Sequence, residues 1–135
     1  MPYFLQLVST GAGGVVNGYT KDPDWAGWIP IQSFSFRGSN AASGSYSNRR
    51  PAGEPKEIDL MAAMADLDVA ILYQIAAQGT ACRATLNVVP NTIGEHGQRM
   101  TFTDAVVSSV QNGGMAVSFS LNFGSMEWLQ SVRFR

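Results

Sequence analysis

His96 and Cys82 are the residue types best suited to acid–base and nucleophilic chemistry, and each occurs once. An imidazole beside a thiol can take its proton and leave a thiolate, with Glu95 or Asp104 as orienting carboxylate. No nucleophile motif surrounds either residue. His96 lies in the turn-like stretch Gly94-Glu95-His96-Gly97 and reads as a solvated position. Cys82 opens an apolar alternation and reads as a small buried hydrophobe. A single cysteine also excludes an intramolecular disulfide and a multi-cysteine zinc site. Neither a catalytic residue, a metal nor a cofactor is expected.

Four other constellations carry residue types that could do chemistry. Gly11-Ala12-Gly13-Gly14 follows an apolar stretch, as a phosphate loop does, but Val16 stands where the dinucleotide pattern needs glycine. No helical spacing follows, and no Lys-Ser or Lys-Thr pair completes a Walker loop. Asp66 and Asp68 imitate a carboxylate pair, yet they sit where a helix begins: Asp66 as its cap, Asp68 as a charge in its first turn. Trp25, Trp28 and Trp128 are candidates for an aromatic sugar platform. Trp128 falls in a strand pattern and is expected in the core, which leaves Trp25 and Trp28. Arg49-Arg50 lies in a long polar stretch with no basic field around it, which suits a partner's carboxylate better than nucleic acid.

The elements that position these residues have mostly a period of two. Met115, Val117, Phe119, Leu121 and Phe123 share one face of a strand, against Ala116, Ser118, Ser120 and Asn122 on the other. The phase slips after Gly124, where a bulge would bend the sheet. Met100 to Val110 reads as a strand with Phe102, Val106 and Val110 on one face. Asn112-Gly113-Gly114 then supplies a hairpin turn. Tyr3 to Val8, Trp28 to Phe36, Ile58 to Ala62 and Ala84 to Val88 read as further strands. One helix runs from Leu67 to Gln78 on the stripe Leu67, Ile71, Leu72 and Ile75, and Gly79 is its left-handed stop. Gly11 to Gly27 and Arg37 to Pro55 read as loops, the second too long for a compact domain without a purpose.

Composition agrees with a small β domain. The 135 residues suit one domain, 1–135, and 45% are hydrophobic. Charged residues are only 14%, against about 25% in typical domains. With 9 basic and 10 acidic residues the net charge is −1, which argues against a nucleic-acid partner. Either neutral polar side chains cover the surface, Ser, Thr, Asn and Gln numbering 34, or much of it is hidden in an assembly. No apolar run reaches membrane-spanning length, so no membrane insertion is expected. Met1 to Thr10 has neither a basic start nor a long apolar core, so no cleaved secretory signal is expected.

From Trp28 onward the order of segments resembles the Hcp family, the tube proteins of type VI secretion systems. Trp28 to Phe36 is similar to the family's second strand, leading into an extended Gly/Ser-rich loop, here Gly38 to Pro55. Glu57-Ile58-Asp59-Leu60, the Leu67–Gln78 helix and Gly79 resemble its strand, single helix and glycine stop. Phe102 to Ser109 and Val117 to Phe123, followed by Met126-Glu127-Trp128, resemble its last two strands. The likeness spans about three quarters of the chain; the hairpin from Gln111 to Met115 is shorter than the family's.

The resemblance implies a mainly β fold, a β-barrel of antiparallel strands or two packed sheets, with one flanking α-helix. It implies a homo-hexameric ring, stacked into a tube inside a contractile sheath, capped by a spike protein and carrying effector proteins. It implies a bacterial cytoplasmic protein exported by the machine itself. On this basis Ser33, Ser35 and Arg37 are expected to line the hole, with Ser118, Ser120 and Asn122 as a second such face. The loop residues Ser39, Asn40, Tyr46, Arg49, Arg50 and Glu54 are expected to dock on the adjacent subunit. The alternatives are a phage-type tail-tube protein, a carbohydrate-binding β domain using Trp25 and Trp28, and an enzyme using Cys82 and His96.

Overall fold

The computed structural model describes residues 2–10, 15–37, 56–91 and 94–134. The strands are β1 (Tyr3–Ser9), β2 (Val15–Val16), β3 (Ile29–Ile31), β4 (Ser33–Arg37), β5 (Glu57–Ala63), β6 (Cys82–Val88), β7 (His96–Gly113), β8 (Ala116–Asn122) and β9 (Ser125–Arg133). The helix α1 (Val69–Gln78) lies between β5 and β6.

The expected β-barrel is not formed. The strands make an open antiparallel sheet in the order β2-β1-β6-β7-β8-β5-β4, with β3 beside β1 and β9 beside β7, and its end strands do not pair with each other. The stretch expected as one strand, Trp28 to Phe36, is where closure fails. At Gln32 the chain leaves β1 and joins β5, so β3 pairs with β1 and β4 with β5, but neither carries a ladder to both. The apolar phase changes with the partner: Ile29 and Ile31 are buried in β3, and Phe34 and Phe36 turn against the core from β4.

A long ribbon joins the two halves. β7 pairs with β9 through His96–Thr103 and with β8 through Val106–Gly113. Between them Asp104 takes a positive φ of 56°, a conformation aspartate tolerates better than most residues. Facing it, the Gly124 N–H donates to the Thr103 carbonyl at 3.0 Å. The slip expected as a bulge after Gly124 is thus the break between β8 and β9. The same corner resets the face of β7: Phe102 is inside before it, Ala105 and Val107 after it, and Val106 and Val110 are only half-buried. Of the expected Phe102, Val106, Val110 face, Phe102 and Val110 pack on the core side and Val106 does not, because positive φ and a register shift between Val107 and Ser109 break the alternation.

Leu5, Leu7, Leu86, Met100 and Phe102 from one half pack against Ile58, Leu60, Phe119 and Leu121 from the other. Met115 is not on that buried face: it is 87% exposed, because the two-residue loop is Gly114-Met115, with Gly113 opposite Ala116 and Gly114 at φ +79°. Helix α1 buries Leu72 and Ile75. Its cap is Asp68, whose Oδ1 accepts from the Ile71 N–H, and not Asp66, which lies in a preceding 3-10 turn. Gly79 ends it at φ +65°. The Gly11–Gly27 loop contains β2, a 3-10 turn at Pro23–Trp25 and a bridge between Gly18 and Gly27. Among the described residues no helix is long and apolar enough to cross a membrane.

Candidate functional site

Among the described residues the two candidates for acid–base and nucleophilic chemistry stand apart. Cys82 is 1% exposed, its thiol is pushed up by burial, and its sulfur faces the Thr80 carbonyl at 3.7 Å. His96 is exposed and its Nδ1 lies 3.0 Å from the Ser131 hydroxyl. Cys82 pairs with Ala105, nine positions along β7 from His96, about 30 Å in an extended strand. The structure does not bring them together. No group of three or more His, Cys, Asp or Glu able to hold a metal occurs among the described residues.

The tryptophans do not make a sugar platform. The Trp25 ring stacks on Phe4 at 4.9 Å and 6°, and meets Trp28 and Phe134 edge-on. Its partners are side chains of the same chain. This cluster borders a cavity of about 710 Å³ with Asp22, Asp24, Arg99 and Arg133 on its rim. Trp128 is not core: it is 42% exposed on edge strand β9, lies over Phe36 at 5.9 Å, and its Nε1 donates to Gln98 Oε1 at 3.0 Å.

The distinctive surface is the outer face of β4-β5-β8-β7. Cross-strand pairing arranges it in three rows. The first is Ser33, Met61, Ser118 and Gln111. The second is Ser35, Asp59, Ser120 and Ser109, and the third is Arg37, Glu57, Asn122 and Val106. Period-two pleating makes this so: Phe34, Ile58, Leu60, Phe119 and Leu121 turn inward, and the residues between them turn out. The face is concave, with a cavity of about 520 Å³.

Its charged groups contact one another, one guanidinium against two carboxylates. The Arg37 guanidinium donates from Nε and Nη2 to Asp59 at 3.0 and 2.8 Å, and Nη2 lies 3.3 Å from Glu57. The hydrogen bond from Arg37, then one from Ser120 at 2.6 Å, holds the Asp59 carboxyl below the usual range. The same contacts raise Arg37. Ser108, the extra residue at the β7 register shift, donates to Glu57 at 3.4 Å.

Ser33, Ser35 and Arg37 are exposed here together, as their alternation predicts. Ser120 lies on the same face but is 5% exposed, covered where it bonds Asp59, so it is not a free surface position. Ser118 is half-buried and Asn122 exposed. Sequence reasoning missed Met61, Ser109 and Gln111 as members of the face. Met61 was within reach, since Ile58, Leu60 and Ala62 pointing in puts Met61 out; Ser109 was not, because the register shift precedes it. Ser39, Asn40, Tyr46, Arg49, Arg50 and Glu54 lie outside the described residues.

The family model described as "Type VI secretion system effector, Hcp" matches residues 4–129. The chain belongs to the Hcp family of type VI secretion system proteins, and is by family a structural tube protein, not an enzyme. No curated protein sequence matches it. Its fold is similar to Hcp1 of E. coli EAEC 042, at 15% identity over 96% of this chain and 90% of that one, TM-score 0.76. Hcp3 of Pseudomonas aeruginosa, a secreted protein, is similar at 10% identity over 96% and 92%, TM-score 0.75. Hcp1 of Salmonella typhimurium matches at 19% identity over 95% and 86%, TM-score 0.69.

Proposed function

We infer that six copies of this chain close into a ring, that rings stack into a tube, and that the β4-β5-β8-β7 face lines its hole. In this reading a contractile sheath surrounds the tube, a spike caps it, and the hole carries effector proteins out of a bacterial cytoplasm without a cleaved signal. Ser33, Ser35 and Arg37 belong to the wall. Ser39, Asn40, Tyr46, Arg49, Arg50 and Glu54 carry the contact to the next copy.

One observation carries this reading: the half-sheet has two unpaired edges that run oppositely. β4 pairs only with β5, and the Val106–Gly113 half of β7 pairs only with β8, among the described strands. Four alternating strands leave β4 and β7 antiparallel, so the β4 edge of one copy can continue the ladder of the next copy's β7. Copies joined head to tail in this way close into a ring if the rotation permits. With strands about 4.8 Å apart, four strands from each of six copies give a wall about 37 Å across, the scale of a small folded domain, and strand tilt widens it. A low charge content of 14% fits a chain that hides surface in neighbours.

Cross-linking tests the arrangement. Ser35→Cys and Ser109→Cys in one chain, treated with a short bis-maleimide, should give a ladder ending at six subunits. Either single variant should stop at a dimer or below. No ladder from the double variant would overturn edge-to-edge closure.

A further inference from the structure

Among the large hydrophobic side chains exposed on the described surface, Met61 is the one that stands on the wall face. It is 37% exposed, and its row neighbours are Ser33, Ser118 and Gln111, all neutral. It lines the cavity of about 520 Å³, which is large enough for a few side chains of an extended segment and too small for a folded domain. The charges lie in the other two rows and are occupied with one another: Arg37 spends two donors on Asp59 and approaches Glu57, and Ser120 adds a third bond to Asp59. The neutral row therefore offers one grip, a thioether.

We propose that Met61 is the cargo-contacting residue of this wall, and that it selects uncharged polypeptide segments presenting aliphatic or aromatic side chains. This rests on the reading of the face as a lumen wall. Methionine suits the task because it is unbranched and polarizable, and so adapts to side chains of different shape. In a ring of six, equivalent Met61 side chains stand at one height as a belt. A cargo with several apolar side chains engages several at once, so weak single contacts add without a specific fit. Arg37 and Asp59, which line the same cavity, are paired with each other, so the grip of the neutral row depends on salt only weakly, unlike one built on a free charged patch.

The test uses assembled rings of the whole chain, with ring mass measured alongside. The probe is a fluorescein-labelled Gly/Ser peptide carrying three spaced leucines, read by fluorescence anisotropy. Wild-type rings should bind it, and Leu→Ser at all three positions of the peptide should abolish binding. Because every subunit carries the change, Met61→Ser and the length-preserving Met61→Gln should each weaken binding by more than about tenfold, the scale of a single lost apolar contact. Met115→Ser, which removes the exposed methionine at the hairpin tip, should leave binding unchanged. Raising salt from 50 to 500 mM should change the affinity less than twofold. Equal binding by the Met61 variants, a steep loss with salt, or intact wild-type rings that ignore the peptide would each overturn the proposal while leaving the ring standing. A wild-type chain that stays monomeric would overturn the wall reading, and this one with it.

Discussion

Arg37 faces Glu57 across the β4–β5 pair, yet its guanidinium forks diagonally onto Asp59, at 3.0 Å from Nε and 2.8 Å from Nη2. Ser120 of β8 grips the same carboxylate at 2.6 Å from the other side. Asp59 thereby ties three strands in one register. Two parallel N–H donors give the contact geometric specificity as well as attraction. Register matters on this face, because a one-residue slip would turn Phe34 and Leu60 outward.

The Asp59 carboxyl is held below its ordinary value by the Arg37 fork and then by Ser120. A depressed carboxylate stabilises the folded chain above its unfolded pKa, about 3.9, and the benefit is lost as pH falls through the lower folded value. Asp59→Asn should therefore destabilise the chain at pH 7 by less than about 1 kcal/mol, because the pair is solvent-screened, and lower the melting temperature accordingly. The gap to wild type should close as pH falls from about 4 toward 2. Thermal melts across that range check it; a gap that stays constant would contradict the linkage.

Glycine positions separate close packing from open surface. A Cβ on Gly97 would overlap the Val88 carbonyl oxygen and crowd Pro90 and Phe134, whereas one on Gly113 meets nothing within 4 Å. Gly97→Ala should cost about 2–3 kcal/mol as overpacking against backbone. Gly113→Ala should stay within about 0.5 kcal/mol of wild type. Urea midpoints of the two variants give the comparison directly.

The helix cap is a second site where two similar residues should behave differently. Asp68→Ala removes the acceptor for the Ile71 N–H and should cost about 1 kcal/mol. Asp66 contributes its backbone carbonyl to Tyr19, which alanine keeps, so Asp66→Ala should cost clearly less. Chemical denaturation of both variants decides it, and equal losses would contradict Asp68 as the cap.

Cys82 is 1% exposed and its thiol is pushed up by burial. The native chain should resist a thiol-reactive dye at pH 8, and the unfolded chain should take up one equivalent. Rapid native labelling would show that β6 opens readily.

Period two was the most legible signal. It identified β1, β5, β6 and β8, and it turned Ser33, Ser35 and Arg37 outward on β4. Two kinds of information were missing from it. Pairing partners are not written in alternation, so the exchange of partners at Gln32, which leaves the sheet open, was read as one continuous strand. Backbone corners are not written in it either: Asp104 at positive φ and the extra residue Ser108 reset the face of β7, which turns Val106 outward and returns Val110 to the core side. Tryptophan in a strand usually buries, which predicts Trp128 inside, but β9 is an edge and the residue stays 42% exposed. Met61 was legible in principle, since its neighbours point inward, but an exposed methionine carries no signal until the polar rows around it are assembled.

The central claim is that this chain closes into a ring lined by the β4-β5-β8-β7 face. Solution mass combined with negative-stain electron microscopy of the purified protein tests it most directly. The account predicts rings with a central hole at about six times the 14.5 kDa subunit mass, persisting at micromolar concentration. A homogeneous 14.5 kDa monomer with no rings at that concentration would contradict it.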